Sequence, residues 1–339
     1  MIDVYQKKYE PETNIFRLAL FTAYLPQLLQ GPIGRYDRLA PQLFEPHDFN
    51  LKNIEYGAQR IAWGLAKKLI LADRAYVFSK AVFADLNTYS GMYVIVALLT
   101  FSIYEYCDFS GGIDIVIGTA EIFGIRMDEN FRQPFFSKSI GEFWRRWHIS
   151  LSTWFREYVY IPLGGNRVTV PRHILNLLIV WSLTGLWHGA SWNYIIWGIY
   201  YGLFLMLEMG IGKKGMKKIP AVLRHLCNKI VIIVGFGIFY CTGGIDQLGD
   251  MLLAMAGQNS TGWLDTMLVT SVQNNLFLLI AALLCCFPLL ELPKKIMAKN
   301  PAANVALSVT GTVLAAGLLV ISSILMVDAT NTPFLYTKF

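Results

Sequence analysis

The sequence predicts an all-α, polytopic membrane protein. Hydrophobic residues make up 55% of the 339 residues and charged residues 15%, and the mean hydropathy is +0.44. A soluble globular domain carries about 25% charged residues. Several apolar runs approach the roughly 20 residues that a helix needs to cross the hydrocarbon core of a bilayer. A membrane-embedded set of helices therefore explains the composition better than two soluble domains of the same total length.

Seven apolar runs are candidate membrane-spanning segments. They are residues 15–31, 92–109, 174–189, 192–209, 229–241, 275–292 and 303–327. Pro26 interrupts the first run, which predicts a kinked or re-entrant segment there. Residues 61–83 mix apolar side chains with Lys67, Lys68 and Arg74. That mixture favours an amphipathic helix at the membrane surface.

The net charge of +6 comes mainly from short basic clusters between the apolar runs. These clusters are Lys67–Lys68, Arg145–Arg146, Lys213–Lys214, Lys217–Lys218 and Lys294–Lys295. Such spacing is typical of cytoplasmic loops that follow the positive-inside rule. We expect contacts with anionic membrane lipids there and no nucleic-acid partner.

The five cysteines predict neither a disulfide framework nor a metal site. They form no C-x-x-C pair and no Cys/His spacing typical of zinc. Most of them lie in apolar runs, where a cysteine acts as a small buried hydrophobe. We expect no metal and no bound cofactor.

The segment Trp187-His188-Gly189 places an ionisable imidazole near the end of an apolar run that begins at Ile174. An ionisable group at membrane depth is costly unless it is paired or faces water, so it is a candidate functional residue. Histidine is also suited to moving a proton near neutral pH. The alternative is that His188 belongs to an aromatic belt at the membrane interface. This segment alone leaves both interpretations open.

A second polar segment, residues 143–163, carries His148 among charged and aromatic side chains. A lipid-facing helix would not tolerate those charges, so the segment must face protein, water or lipid headgroups. Arg145, Arg146 and Arg156 are suited to binding the phosphates of an anionic donor such as a coenzyme. Anchoring to lipid phosphates is the alternative role. One long apolar run separates His148 from His188, so the two could approach each other across a helical hairpin.

Neither a nucleophilic serine nor a nucleophilic cysteine is indicated. The sequence contains no G-x-S-x-G segment, and no cysteine lies beside a histidine in an electropositive setting. Direct attack by an acceptor hydroxyl that His188 deprotonates is therefore the simplest chemistry.

Three acidic residues, Glu105, Asp108 and Asp114, lie between two apolar stretches. We expect Asp108 or Ser110 to cap the next helix, since capping is the commonest use of Asp and Ser at such positions. The alternative is a polar cavity in which these acids orient a histidine.

Five segments resemble one known family. FWRRWHISLSTWFREYVYIPLGGNR (143–167) and LTGLWHGASWNYIIWG (183–198) resemble the membrane-bound O-acyltransferase (MBOAT) superfamily, and most closely its bacterial alginate O-acetyltransferase branch. Residues 21–43, 106–125 and 130–144 agree with that branch. The resemblance implies a multi-helix membrane fold with re-entrant segments and a central funnel or tunnel. It also implies that His188 is the catalytic base and His148 the second signature residue.

The candidate site therefore combines two catalytic histidines with residues that would bind the substrate or donor. The binding candidates are Arg145, Arg146, Trp147, Arg156, Trp187 and Asn193. The sequence departs from the branch in two places. The resemblance implies that N-terminal helices usual in the family are missing here, and residues 1–339 are expected to form one membrane-embedded domain. Phe239-Tyr240-Cys241 also stands where the branch often has an aromatic-Phe-Arg sequence.

The resemblance implies a multi-pass enzyme of the bacterial cell membrane. It would move an acetyl or other small acyl group from acetyl-CoA or another acyl thioester to hydroxyls of an extracytoplasmic polysaccharide. The implied partners are membrane lipids, the polysaccharide acceptor and a periplasmic or extracellular acetylation protein. Two alternatives stay open: D-alanyl transfer to teichoic acid, and an inactive scaffold or export component.

Overall fold

The computed structural model describes residues 1–28, 30–258, 263–287, 300–327 and 334. All regular elements in this described part are helices, which confirms the predicted all-α class. The α-helices are α1 Ile2–Tyr5, α2 Ile15–Thr22, α3 Leu25–Leu28, α4 Tyr36–Phe44, α5 Leu51–Ala66, α6 Asp73–Ala84, α7 Met92–Ile122, α8 Ile140–Trp144, α9 Ile149–Phe155, α10 Val170–Trp187, α11 Trp192–Lys218, α12 Ala221–Tyr240, α13 Ile245–Met255, α14 Thr266–Asn274, α15 Leu276–Cys285 and α16 Pro301–Val327. Lys67–Ala72 and Arg156–Tyr160 are π-helical, and Pro134–Phe136 is a 3-10 turn.

Four helices of the described part are long and apolar enough to cross a membrane. They are α7, α11, α12 and residues 303–327 of α16. Helices α14 and α15 pass the same test as a pair bent by 58°, which makes a fifth span if the pair crosses as one. The predicted runs 92–109, 192–209 and 303–327 fall inside these helices. The run 229–241 is the end of α12, which begins eight residues earlier, at Ala221.

The other predicted spans turn out differently. Run 15–31 is divided between α2 and α3 with a break at residues 23–24, as the kink prediction requires. Helix α10 covers run 174–189 but is not among the candidate spans, since its first turns carry Arg172, His173 and Asn176. Run 275–292 begins as the ten-residue helix α15, and residues 288–292 lie outside the described residues.

The chain forms two compact units, which are described separately. The first comprises residues 1–70, 109–130 and 293–338. Here α5 packs against α16, and Glu55 accepts hydrogen bonds from Ser308 and Thr312 at 2.9 and 3.0 Å. Helix α5 also lies against the second half of α7 at two glycine pairs. A Cβ on Gly57 or on Gly64 would overlap the α7 backbone, so small residues at this spacing allow the close approach.

Ion pairs join α5, and the π-helical residues that follow it, to α7 and to Glu129. The Arg60 guanidinium binds Asp114 at 3.0 Å and Glu129 at 2.6 Å. Lys67 pairs with Asp114 and donates a hydrogen bond to Ser110 at 2.9 Å. Lys67 and Lys68 are 5% and 4% exposed. The prediction of a surface amphipathic helix with loop lysines is therefore wrong at these two residues. Asp114 and Ser110 of α7 are the partners of Lys67 inside the unit, and the Lys68 ammonium lies 5.1 Å from the centre of the Phe334 ring.

The predicted helix cap at Asp108 or Ser110 is also wrong. Both residues are buried in the interior of α7, which continues from Met92 to Ile122. One residue after Ser110, Gly111 faces Gly64 of α5, where the absence of a side chain allows the two helices to touch.

The second unit comprises residues 71–108 and 131–292. Its centre is the hairpin of α10 and α11, which packs against α8, α9 and α12. A Cβ on Gly185 would collide with the Tyr194 carbonyl, and a Cβ on Gly198 with the Trp181 carbonyl. Glycine at both positions lets the two helices of the hairpin approach closely, and this approach positions the end of α10 against the start of α11.

Candidate active site

His148 lies between two short helices, α8 and α9, in the second unit. Its side chain is buried, with 8% exposure, and its backbone is in the left-handed region at φ 45° and ψ 55°. A non-glycine residue pays for this conformation, and strain of this kind clusters at functional sites. The left-handed residue ends the turn after α8 and directs the chain into α9.

Two side chains hold the N-terminal side of this turn. Ser139 caps α8 by accepting from the Glu142 amide at 3.1 Å. Glu208 of α11 accepts from the amides of Ile140 and Gly141, at 2.5 and 3.0 Å. A carboxylate at a helix N-terminus satisfies amides that lack partners within the helix and favourably meets the helix dipole. The position of α8, and of His148 behind it, is thus tied to α11.

Helix α12 holds the segment that precedes α8. The Asn228 amide donates to the Ser137 carbonyl at 3.0 Å and to its hydroxyl at 2.8 Å. The Lys229 ammonium donates to the same carbonyl at 2.7 Å. Ser137 is completely buried, so these bonds replace water for a backbone carbonyl in the interior.

His188 is the C-cap residue of α10, directly after Trp187, and its amide donates to the Gly185 carbonyl at 3.0 Å. Its half-buried ring lies among aromatic rings. The ring centroids of Phe239 and Trp197 are 5.1 and 5.3 Å away, both in edge-to-face geometry, and that of Tyr194 is 6.2 Å away. These contacts limit the movement of the imidazole and remove water from part of its surface.

The structure brings the two histidines together. Their imidazoles are close enough for the charge of one to act on the other. Trp144, four residues before His148, packs edge-to-face on Trp197 at 5.5 Å, and Trp197 in turn packs on His188. Both histidines lie outside the candidate spans. Burial lowers the pKa of His148, with a contribution from His188, and burial lowers the pKa of His188 to about 4. Both rings are therefore neutral near pH 7 and available as proton acceptors.

Two of the binding candidates lie in the same neighbourhood. Asn193 is 1% exposed and donates to the carbonyl of Phe239, whose ring contacts His188. Trp147 is buried and stacks on Phe143, with centroids 5.5 Å apart. Asn193 thus holds a residue that encloses His188, whereas Trp147 belongs to the aromatic core in front of His148.

The three arginines differ in their surroundings. Arg146 pairs with Glu142 at 2.7 Å, whereas Arg145 is exposed and within electrostatic range of the same carboxylate. Arg156 is exposed in the π-helix and pairs with Glu157 at 3.3 Å. Trp187 is 54% exposed, and its ring lies 6.1 Å from Trp154. Arg145 and Arg146 therefore lie near the same carboxylate, that of Glu142, whereas Arg156 pairs with Glu157.

Several residues of this region were not singled out from the sequence. Tyr194 and Trp197 contact His188, and both fall in the segment LTGLWHGASWNYIIWG, whose spacing would place them one turn apart on α11. Phe239 and Glu208 carry no local signal, because the site residues that they contact lie more than 40 positions away in the sequence. Among residues 1–28, 30–258, 263–287 and 300–327, no group of three His, Cys, Asp or Glu side chains could hold a metal ion.

The description of one known family fits most of the chain. The family model for MBOAT, the membrane-bound O-acyltransferase family, matches residues 11–243. The chain belongs to this family. The matched range contains both histidines and all the residues of the second unit that surround them, from Trp144 to Phe239. With the candidate spans, membership makes the chain a multi-pass bacterial membrane protein.

Curated bacterial relatives are similar over the same range. The probable alginate O-acetylase AlgI of Pseudomonas aeruginosa is 38% identical over 239 residues, which cover 70% of this chain and 46% of the relative. The peptidoglycan O-acetyltransferase of Helicobacter pylori is 34% identical over 260 residues, which cover 74% of this chain and 49% of the relative. The teichoic acid D-alanyltransferase of Bacillus subtilis is 30% identical over 243 residues, covering 68% and 60%. The chain spans about half the length of the first two relatives.

Proposed function

We propose that this protein is a membrane O-acyltransferase that moves an acetyl group to hydroxyls of an extracytoplasmic polysaccharide. The observation that carries the proposal is that two imidazoles, His148 and His188, lie close together and are neutral near pH 7, while Trp197 joins His188 to Trp144 of α8. The relatives named for alginate and peptidoglycan O-acetylation, which match at higher identity than the D-alanyltransferase, support the choice of acyl group and acceptor. Residues 1–339 would act as one membrane-embedded domain.

In the proposed reaction His188 is the general base. Its ring nitrogen takes the proton of the acceptor hydroxyl while that oxygen attacks the carbonyl carbon of an acyl thioester. The carbon–sulfur bond then breaks, the thiolate leaves, and the imidazolium returns the proton to it. The products are an ester and a thiol, and the base is neutral again. The lowered pKa of His188 keeps the ring in the accepting form at the start of each cycle.

His148 would position the reacting groups beside His188. Because a charge on His188 lowers the pKa of His148, the two rings would not both be protonated at the same time. Arg145 and Arg146 would bind the anionic part of the donor, which we propose to be acetyl-CoA or another acyl thioester. Asn193, Trp147, Trp187 and Arg156 complete the proposed substrate-contacting set. A separate periplasmic or extracellular acetylation protein would complete transfer to the polymer.

The test measures ester-linked acetate on surface polysaccharide in cells that lack this protein. Complementing genes encode the wild type, His188→Ala, or His47→Ala as a matched control. His47 is an exposed loop histidine. Wild type and H47A should restore acetylation, and H188A should not, while all three accumulate in the membrane to the same level. Restoration by H188A would remove His188 from the mechanism.

The same cells separate the alternatives. If polymer acetate does not depend on the protein but D-alanine on teichoic acid does, and cells with the wild-type protein add that D-alanine only when a D-alanyl-loaded carrier protein is supplied, the acyl group proposed here is wrong. If both modifications are unchanged while polymer export fails, the protein acts as a scaffold and not as an enzyme.

A further inference from the structure

A cavity of about 280 Å³ lies in the second unit, formed by α6, α7, α14 and α15. Its walls come from residues 74–82 of α6, 93–100 of α7 and 267–279 of the bent pair, with Tyr89 at one edge. Val77 and Met267 on these walls are 66% and 63% exposed, so the cavity is open to the outside of the helices. None of the candidate active-site residues lines it.

Three of the four helices around this cavity are candidate membrane-spanning elements. They are α7 and the two helices of the bent pair. Most of the lining is aliphatic or aromatic, including Val96, Leu278 and Leu279. Water would be poorly held against such walls, whereas the acyl chains of the membrane are present at high concentration and match their chemistry.

One charged residue, Arg74, lines the cavity. Arg74 is exposed and forms no hydrogen bond or ion pair with the residues that the structure describes. Its neighbour Asp73 is not in the lining and lies within electrostatic range of Tyr104 on α7. No Asp or Glu lines the cavity, so its net charge is positive. An arginine in this setting is costly unless an anion or water meets it.

We propose that the cavity binds an anionic phospholipid of the bilayer, with an acyl chain along the apolar walls and the phosphate on Arg74. A guanidinium presents a planar fork of donors that matches phosphate oxygens, and its long side chain can reach toward the headgroup level. Ser271 and Asn275 add polar groups to the opposite wall, at the bend between α14 and α15. This site is independent of acyl transfer, and it stands or falls separately from the proposed function.

The experiment uses the purified full chain in nanodiscs that contain phosphatidylglycerol with a diazirine in its acyl chain. A phosphatidylcholine with the same photoreactive chain is the comparison lipid. After illumination, labelled peptides are mapped by mass spectrometry. We expect labels on residues 74–100 and 267–279, with phosphatidylglycerol favoured about tenfold, the factor that one charge-assisted contact supplies. Equal labelling by both lipids, or labels confined to other helices, would overturn the proposal.

Two pairs of variants on α6 sharpen the result, and each pair changes exposed positions only. Arg74→Gln should abolish the preference for phosphatidylglycerol, whereas Lys80→Gln, an exposed cation outside the lining, should keep it. Ala81→Trp should fill the cavity and reduce labelling by both lipids, whereas Ala84→Trp, outside the lining, should not. A preference that survives R74Q, or labelling that survives A81W in a folded protein, would contradict the proposal.

Discussion

Two regions of the molecule bury ionisable groups in opposite ways. In the first unit, Arg60, Lys67, Asp114 and Glu129 are brought together as opposite charges at 3.0 Å or less. In the second, burial keeps His148 and His188 neutral, and His188 is also held among aromatic rings. Buried charge that is paired maintains the structure, whereas a buried base kept neutral can take up a proton. An ionisable residue in an apolar run therefore acquires its role from its partners.

The largest effect should come from unpairing the first region. Asp114→Ala leaves Lys67 without its acidic partner and removes one of the two acidic partners of Arg60. Removing one partner of a buried ion pair lowers the free energy of unfolding by about 3–5 kcal/mol. Thermal unfolding of the purified protein would measure the loss. Asp128→Ala, which breaks the exposed pair with Arg38 at 2.8 Å, should cost about 1 kcal/mol or less.

A double variant shows whether pairing is what matters there. Lys67→Met with Asp114→Leu removes both charges, and replacing a buried pair by apolar residues of similar size is often neutral. The double variant should recover much of the stability that D114A loses. Equal losses in the two proteins would mean that Asp114 has a role beyond its pairing.

The next effect concerns catalysis without comparable loss of fold. His148→Asn keeps a side chain that tolerates the left-handed backbone, whereas His148→Ala does not. Both variants should lower the acetylation rate about 100-fold, because the reacting groups lose the ring that positions them beside His188. H148A should also be less stable than H148N by about 1 kcal/mol. A nearly normal rate in H148N would assign His148 a purely structural role.

The pH dependence of the reaction rate tests whether burial keeps His188 neutral. Because burial lowers the pKa of His188 to about 4, the neutral base persists well below the ordinary titration of histidine. Activity should stay level from pH 7 to about pH 5 and fall as pH approaches 4. The measurement is kcat/KM against pH, with folded fraction followed in the same buffers. An acid limb with an apparent pKa of 6.5 or higher would contradict the neutral, enclosed imidazole.

The smallest effect should come from the bonds that position α8. Glu208→Gln removes the charge that meets the amides of Ile140 and Gly141, at a cost of about 1–2 kcal/mol. We expect a modest loss of thermal stability and a rate reduction that rises with it. Asp246→Asn, at the exposed N-terminus of α13, is the control and should change neither. Equal effects in the two variants would show that Glu208 does not position the site.

The sequence predicted both histidines because each stands beside tryptophan in an otherwise apolar or aromatic stretch. Trp147 and Asn193 came from the same segments. Phe239 and Glu208 could not be found in this way, because Phe239 meets His188 and Glu208 meets Ile140 only after α10, α11 and α12 have packed. The roles assigned to the site residues stay predictions, which the variants above address.

The errors made from the sequence have a common cause. Lys67 was predicted to be a loop cation because it belongs to a basic pair between apolar runs. Asp108 was predicted to be a helix cap because it lies between two apolar stretches. The partners that bury Lys67 lie on α7, more than 40 positions away in the sequence, and α7 continues past Asp108 to Ile122.

The amino-acid sequence alone determined the helical class, three of the candidate spans, and the two histidines of the site. These properties follow from local hydropathy and from polar residues inside apolar or aromatic runs, which neighbours in the chain already reveal. Only the tertiary structure decided that Lys67 pairs with Asp114, that Trp197 and Phe239 enclose His188, and that His148 takes a left-handed backbone. Those outcomes depend on which distant helix faces each side chain. That arrangement is set by the free energy of packing between helices, which the local sequence does not reveal.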